Sequence, residues 1–144
     1  MNLYTVGFTK KSAKKFFELL LKNNIKCIID ARLNNKSQLA GFTKQDDFKY
    51  FLEKIGNIKY AHILEWAPTE EMLNNFKKKK INWDEYKSQY LSLLRQRNIA
   101  KNIDFKEMNG ACLLCSEEKP DYCHRRLLAE YLRDLNKDIK IVHL

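Results

Sequence analysis

Cysteine, histidine and arginine residues cluster in one short segment near the end of the chain. It contains, in direct succession, Cys123, His124, Arg125 and Arg126, and Cys115 lies eight residues before Cys123. A helix that begins here would place the Cys123 thiol beside unpaired backbone N–H groups, which favour a thiolate. We therefore predict Cys123 as a reactive thiolate and His124 as a general acid or base. An inert packing cysteine and a capping histidine are the structural alternatives.

The two arginines at this helix start indicate an anionic ligand. Guanidinium groups are unfavourable at the positive amino end of a helix unless an anion lies there. We expect Arg125 and Arg126 to face a crevice and, together with Arg32, to clamp a phosphate, a carboxylate or a nucleic-acid backbone. Cys115 is predicted to pack rather than react, and Glu117 is either a base beside it or a solvated turn residue.

Asp30 and Arg32 form a second candidate pair. They lie two residues apart on one predicted strand, and so point to the same face. Arg32 could clamp an anion while Asp30 acts as a base or a metal ligand, or the two could form a purely structural ion pair. The residues alone leave these alternatives open. Three further candidates at predicted strand ends, expected to line the same anion site, are Gly7, Thr9 and His62.

The spacing of cysteine and histidine disfavours a metal site, and no cofactor is expected. Zinc ligands usually come in C-x2-4-C or H-x3-5-H pairs, whereas seven residues separate Cys115 from Cys123 and His124 adjoins the latter. A metal site formed by these three residues together with His62 is therefore less favoured than a site without a metal. Cys112 and Cys115 cannot chelate together, because residues three apart on a strand point to opposite faces. The sequence also lacks nicotinamide-binding, P-loop, zinc-deaminase and cysteine-phosphatase motifs.

The candidates follow apolar strands that alternate with amphipathic helices. Strands are predicted over residues 3–6, 25–30, 58–63, 111–114 and 139–144. Helices are predicted over residues 12–23, 43–56, 69–78, 82–97 and 121–135, with capping signals at Thr43, Thr69 and Asn82. This alternation is typical of an α/β fold, here a single three-layer domain over residues 1–144. Its sheet should be mostly parallel, with about five strands and helices on both faces. Because ligands bind at the carboxyl ends of such strands, the candidates should converge at one rim.

Length and composition exclude several classes of protein. The chain has 144 residues, of which 44% are hydrophobic, so it can bury a core without disulfides. Its four cysteines are expected to be free thiols, metal ligands or a reactive centre rather than disulfides. Its apolar runs are too short to span a membrane, and its amino terminus lacks a secretion signal, so we expect a cytoplasmic protein that does not bind membranes. The oligomeric state stays open.

The net charge favours a polyanionic partner. Lys and Arg exceed Asp and Glu by nine, which favours a nucleotide or nucleic acid. The alternative is codon bias, because 21 of the 27 cationic residues are Lys, as the AT-rich codons of some genomes would produce.

Several short motifs together resemble a known family, called domain of unknown function 488. They are T-V-G-F-T at 5–9, D-A-R at 30–32, Y-A-H at 60–62, C-L-L-C-S-E at 112–117, C-H-R-R at 123–126 and V-H at 142–143. The specific part is L-L-C-x-E followed by C-H-R, and the match spans essentially the whole chain. Two segments depart from the family: Gly7-Phe8-Thr9 replaces a Gly-Tyr-Ser or similar, and Glu65-Trp66-Ala67 replaces a Leu-Gly-Gly. The resemblance implies the fold and the location of the site, but no reaction.

The sequence favours an enzyme that acts on a phosphate-bearing substrate, a nucleotide or nucleic acid, at the strand rim. Its catalytic candidates are Asp30, Cys123 and His124. The alternative is a module that binds nucleic acid without turnover, helped by the basic run Lys77–Lys80. Turnover would need Asp30 and Cys123, whereas binding of phosphate would not.

Overall fold

Five parallel strands form the central sheet of the protein. The structure is a computed structural model that describes residues 1–36 and 41–144. Its strands are β1 (Asn2–Gly7), β2 (Cys27–Asp30), β3 (Lys59–His62), β4 (Ala111–Cys115) and β5 (Lys140–His143). They are ordered β3-β2-β4-β1-β5, and every neighbouring pair is parallel. All residues of β4, in the middle of the sheet, are buried, as expected of a strand covered on both faces.

Helices cover the sheet on both faces. They are α1 (Ala13–Lys22), α2 (Gln45–Gly56), α3 (Glu70–Lys77), α4 (Trp83–Gln96) and α5 (His124–Leu135). The core between α1, α2 and the sheet contains Phe16 and Phe48. The opposite core, formed by α3, α4 and α5, contains Tyr90 and Leu128. The predicted α/β fold with a parallel sheet of five strands is therefore confirmed. None of the helices in the described residues is long and apolar enough to cross a bilayer.

The capping signals explain where most helices begin. Ser12 and Thr69 accept a hydrogen bond from the backbone of the first turn of α1 and α3, and Asn82 forms a capping box with Glu85 in α4. The predicted cap at Thr43 is wrong. Lys44 precedes α2 without a side-chain cap, and the Thr43 hydroxyl and carbonyl instead accept hydrogen bonds from an arginine.

The start of α5 also differs from its prediction. The helix begins at His124 rather than at Asp121, and Cys123 is its N-cap residue with extended backbone. The segment before it forms a turn that is closed by a hydrogen bond from the Cys123 amide to the Pro120 carbonyl. This turn directs the Cys123 and His124 side chains back over the end of β4.

The topology creates a crevice between β2 and β4. After β2 the chain passes through α2 on one face to β3 at one edge of the sheet. After β4 it passes through α5 on the other face to β5 at the opposite edge. These connections diverge from two adjacent strands, which is the arrangement at which parallel sheets bind ligands. The carboxyl ends of β2 and β4 are therefore the place to look for a site.

Candidate functional site

A cleft of about 1170 Å³ opens at the carboxyl ends of β2 and β4. Its buried part contains Cys115, at the end of β4, with Cys123 and His124, at the start of α5. Aromatic side chains from four parts of the chain line its walls: Phe8, Phe76, Tyr86 and Tyr122. Exposed lysines at the end of α3 and just after it form part of its rim: Lys77, Lys79 and Lys80. Exposed lysines and buried cysteine and histidine side chains thus share one cavity.

Two partners fix the orientation of the His124 ring. Its Nε2 lies 2.9 Å from the carbonyl oxygen of Ala31, which can only accept, so Nε2 carries a proton. In the neutral ring Nδ1 is then a base, and it lies 3.7 Å from the Cys115 sulfur. The Cys115 thiol can therefore donate its proton to His124. A nucleophile, a base and a group that orients the base are the components of thiol catalysis.

The hydrogen bond between the two cysteines favours a thiolate at Cys115. A hydrogen bond from Cys123, helped by the charge of His124, holds the pKa of Cys115 well below its ordinary value despite burial. Burial raises the pKa of Cys123 well above its ordinary value. Burial also disfavours the charged form of His124, but the Cys115 thiolate outweighs it and raises the pKa of the ring. The sequence analysis chose Cys123 as the thiolate, whereas the hydrogen bond from Cys123 to the neighbouring sulfur favours Cys115.

Cys115, Cys123 and His124 also bring three possible metal-ligand atoms together. All of these atoms lie within 4.8 Å of one another. Cys123 and His124 are adjacent in sequence, yet both of their ligand atoms lie near the Cys115 sulfur. The backbone is extended at Cys123 and becomes helical at His124, so the two side chains converge. His62 lies elsewhere, with its Nε2 2.7 Å from the Arg32 carbonyl oxygen.

The Asp30 carboxylate is buried in a closed network. It accepts hydrogen bonds from the backbone amide, Nε and Nη2 of Arg32 and from the Tyr60 hydroxyl, the last at 2.6 Å. Arg32 also donates to the hydroxyl and carbonyl oxygens of Thr43. Asp30 does not line the cleft, and Arg32 reaches it with its guanidinium already engaged. Of the alternatives for this pair, the geometry favours the structural one.

Tyr60 belongs to this network, although the sequence indicated it only as part of the Y-A-H motif and not as a site residue. It lies in β3, where its hydroxyl also accepts a hydrogen bond from the Asn35 amide at 3.0 Å. The sequence signal that could have indicated this contact is a tyrosine on the predicted strand that follows the one carrying Asp30. Which neighbour its hydroxyl meets depends on the register of β2 against β3, which pairs Asp30 with His62.

Replacing Tyr60 with phenylalanine is expected to lower the free energy of unfolding by about 1.5–3 kcal/mol, since a hydrogen bond to a buried charged group is lost. Tyr50→Phe is the matched control. Its side chain is 57% exposed, so its effect should stay within about 0.5 kcal/mol. Urea denaturation of both variants measures the difference. Equal effects would show that the Tyr60–Asp30 hydrogen bond contributes nothing.

Arg125 and Arg126 do not line the cleft, which corrects their predicted orientation. Arg125 is fully buried, and its guanidinium donates to the backbone carbonyl oxygens of Glu117 and Glu118. Arg126 donates to the carboxylate of Glu130 at 3.2 Å and to the Asp121 carbonyl at 3.0 Å. The backbone carbonyl oxygens of the turn before α5 are thus hydrogen-bond acceptors of these two guanidinium groups, in place of the anionic ligand predicted from the sequence.

Gly7 and Thr9 hold the same turn from the end of β1. The backbone amide and hydroxyl of Thr9 both donate to the Ser116 carbonyl oxygen, at 3.1 and 2.6 Å. A Cβ at Gly7 would collide with the carbonyl oxygen of Glu117. Neither Gly7 nor Thr9 lines the cleft, whereas Glu117 does. These two residues therefore position the wall of the cleft rather than contribute to its lining.

The predicted candidates divide into three groups. Those that line the cleft are Arg32, Cys115, Glu117, Cys123 and His124. Asp30 and His62 hold the ends of β2 and β3, and the residues that hold the turn before α5 are Gly7, Thr9, Arg125 and Arg126. The aromatic wall was not predicted as part of a site. Tyr86 belongs to the apolar stripe of α4, which indicates packing and not an opening beside it.

The fold and the cleft define a parallel α/β protein with a cysteine–histidine cluster where two strand connections diverge. The family model described as "Domain of unknown function DUF488" matches residues 12–132, and the chain belongs to this family. The family resemblance noted in the motifs is therefore confirmed. No curated protein and no solved structure shows a significant match to the chain.

Proposed function

We propose that this protein is an enzyme that acts on a phosphate-bearing substrate, a nucleotide or a nucleic acid, in the cleft at the ends of β2 and β4. One observation carries the proposal: exposed lysines at the rim share a cavity with the buried pair formed by Cys115 and His124. The first group is suited to holding phosphates, and the second to chemistry. A surface that only binds polyanions does not require a buried cysteine–histidine pair.

The lysines come from the last residue of α3 and from the turn that follows this helix. Lys79 has a positive φ of 59°, and this left-handed residue turns the chain so that Lys79 and Lys80 both reach the cleft. Their ammonium groups are mobile point charges, which bind phosphates without a fixed geometry. The carboxylates in the lining are Glu85 and Glu117, and Glu85 is engaged in the capping box of α4. The rim is therefore positive overall.

The aromatic wall supports a substrate that carries a base. Tyr86 stacks on Trp83 with ring centroids 5.5 Å apart and an interplanar angle of 20°. Tyr122 meets the same Trp83 edge-on at 5.5 Å and is 67% exposed, so one ring face is available in the cleft. Nucleobases stack on such rings with little dependence on sequence. A nucleotide or a single strand would satisfy both the lysines and the rings, whereas inorganic phosphate would use only the lysines.

The combined substitution of Lys77, Lys79 and Lys80 by glutamine tests the phosphate part of the proposal. Loss of three phosphate contacts should lower the slope of log affinity against log salt for a labelled single-stranded oligonucleotide by about 2. It should also weaken binding at low salt at least about tenfold. The matched control changes three exposed lysines outside the cleft to glutamine: Lys22, Lys49 and Lys140. If the control weakens binding equally, net charge rather than the cleft holds the oligonucleotide.

A second comparison tests turnover. Cys115→Ser and His124→Asn should abolish conversion of any nucleotide or oligonucleotide that the wild-type protein processes, while affinity changes by less than about tenfold. The measurement is chromatographic analysis of products after incubation with single strands and with nucleoside phosphates. If both variants convert substrate at the wild-type rate, the cleft is not the reaction centre. Binding without conversion by the wild-type protein would establish the non-catalytic module instead.

A further inference from the structure

We propose that Cys115, Cys123 and His124 bind a Zn²⁺ ion through two sulfur atoms and one imidazole nitrogen, with the fourth coordination position open to the cleft. The proposal deepens the proposed function, on which only the catalytic use of the ion rests. With the ion bound, the Cys115 sulfur and His124 Nδ1 would be its ligands instead of a free nucleophile and base. Binding of the ion rests on the geometry of the cluster alone. Thiolate and imidazole are the ligands that zinc prefers among protein side chains.

The distances in the cluster are close to those of a tetrahedral site. With Zn–S near 2.3 Å and Zn–N near 2.0 Å, neighbouring ligand atoms lie about 3.5–3.8 Å apart. The Cys115 sulfur and His124 Nδ1 are 3.7 Å apart, and no pair in the cluster exceeds 4.8 Å. Side-chain movements of about 1 Å or less would therefore close the three atoms around an ion.

The second partner of His124 suits a ligand histidine. Its Nε2–H donates to the Ala31 carbonyl oxygen at 2.9 Å, which leaves Nδ1 as the ligand atom and fixes the plane of the ring. Metal-binding histidines almost always donate their other N–H to such an acceptor. Ala31 is itself buried at the end of β2, so this acceptor is held by the sheet.

Charge balance favours the ion as well. Both cysteine residues are buried, with Cys115 4% and Cys123 2% exposed, and two thiolates there would be costly without a cation. One Zn²⁺ with two thiolates and a neutral imidazole has no net charge. The other cysteines cannot join the site. Cys112 belongs to the core on the α1 side of the sheet, and Cys27 lies at the amino end of β2, away from the cleft.

The open position indicates a catalytic rather than a structural ion. All three proposed ligands line the cleft, and they are the only group of this kind that the described residues form. Structural zinc sites are closed by four protein ligands, whereas catalytic sites keep one position for water or substrate. An ion here would lie in the cavity that carries the lysines, where it could polarise a phosphate oxygen.

Titration of the reduced, tag-free chain with Co²⁺ tests the proposal, because cobalt in a thiolate site shows sulfur-to-cobalt charge transfer and strong visible bands. We expect both signals to saturate at one ion per chain and Zn²⁺ to displace the cobalt. Cys115→Ser and Cys123→Ser should each weaken binding by at least about 100-fold. Cys27→Ser is the matched control and should bind as the wild type does. Circular dichroism checks folding, and His124→Asn replaces any serine variant that fails to fold.

Three results would overturn the proposal: no thiolate band, equal binding by the Cys123→Ser and wild-type proteins, or loss of the band in Cys27→Ser. A chain that is 2 Da lighter without reductant and takes up no metal would assign the two cysteines to a disulfide instead. The titration contains no substrate, and so separates the two proposals. Normal cobalt bands without oligonucleotide binding would contradict the proposed function alone. Oligonucleotide binding without cobalt bands would contradict the zinc site alone.

Discussion

Replacing Gly7 with alanine is expected to destabilise the fold by more than about 3 kcal/mol, because the added methyl group meets backbone that cannot yield. The new Cβ would collide with the Glu117 carbonyl oxygen and lie 2.8 Å from Nη1 of Arg125. Relief requires moving the turn before α5, which Thr9 holds through the Ser116 carbonyl. That movement would break the hydrogen bonds from Arg125 to the turn.

Gly41→Ala is the control for this substitution. A Cβ at Gly41 meets no atom of the described residues within 4 Å, so its effect should stay within about 0.5 kcal/mol. Urea denaturation followed by circular dichroism measures both variants. If Gly7→Ala is as stable as Gly41→Ala, the turn before α5 adapts freely, and its close packing against β1 has no energetic consequence.

The sequence predicted the fold well because its local signals agree with one another. The Ser12 cap and the aromatic face of α1 define the first helix, and the uninterrupted apolar run of β4 marks a strand buried on both faces. Parallel strands place their carboxyl ends at one rim, so the convergence of Cys115, His124 and Arg32 on one cleft followed from their positions after strands.

The roles of the arginines could not be predicted, because their partners are backbone atoms. Arg125 satisfies the carbonyls of Glu117 and Glu118, and carbonyls that lack a partner leave no trace in the amino-acid types of a turn. An arginine at a helix start can therefore have either of two partners: an anionic ligand, or the backbone carbonyl oxygens of a turn in the same chain. The sequence alone does not distinguish them. The contact between the Cys115 and Cys123 side chains was hidden for the same reason, since it depends on how that turn folds.

The D-A-R segment shows how backbone and side chains share the work of building the site. The side chains of Asp30 and Arg32 bind each other and anchor the end of β2. The backbone carbonyl oxygens of the same segment have other partners. The Ala31 carbonyl accepts a hydrogen bond from His124, and the Arg32 carbonyl accepts one from His62. The ion pair therefore supports the cleft indirectly, because it fixes the backbone acceptor that orients His124. A sequence motif alone gives no hint of this division.

Replacing Arg32 with methionine is accordingly expected to lower the free energy of unfolding by about 3–5 kcal/mol, the cost of leaving a buried charge without its partner. Asp30 would keep the Tyr60 hydroxyl and lose both guanidinium hydrogen bonds. Arg95→Met, at an exposed position of α4, removes the same charge and should change stability by no more than about 0.5 kcal/mol.

A double-mutant cycle separates the ion pair from the loss of arginine packing. Asp30→Asn removes the charge that Arg32 compensates, so the double variant should lose at least about 1 kcal/mol less than the sum of the single losses. Chemical denaturation of the four proteins gives the coupling. Additive losses would mean that Arg32 stabilises β2 through its contacts with Thr43 and Phe8 rather than through Asp30. Coupling would instead establish that a closed ion pair, and not an open anion clamp, supports the acceptor on which the orientation of His124 depends.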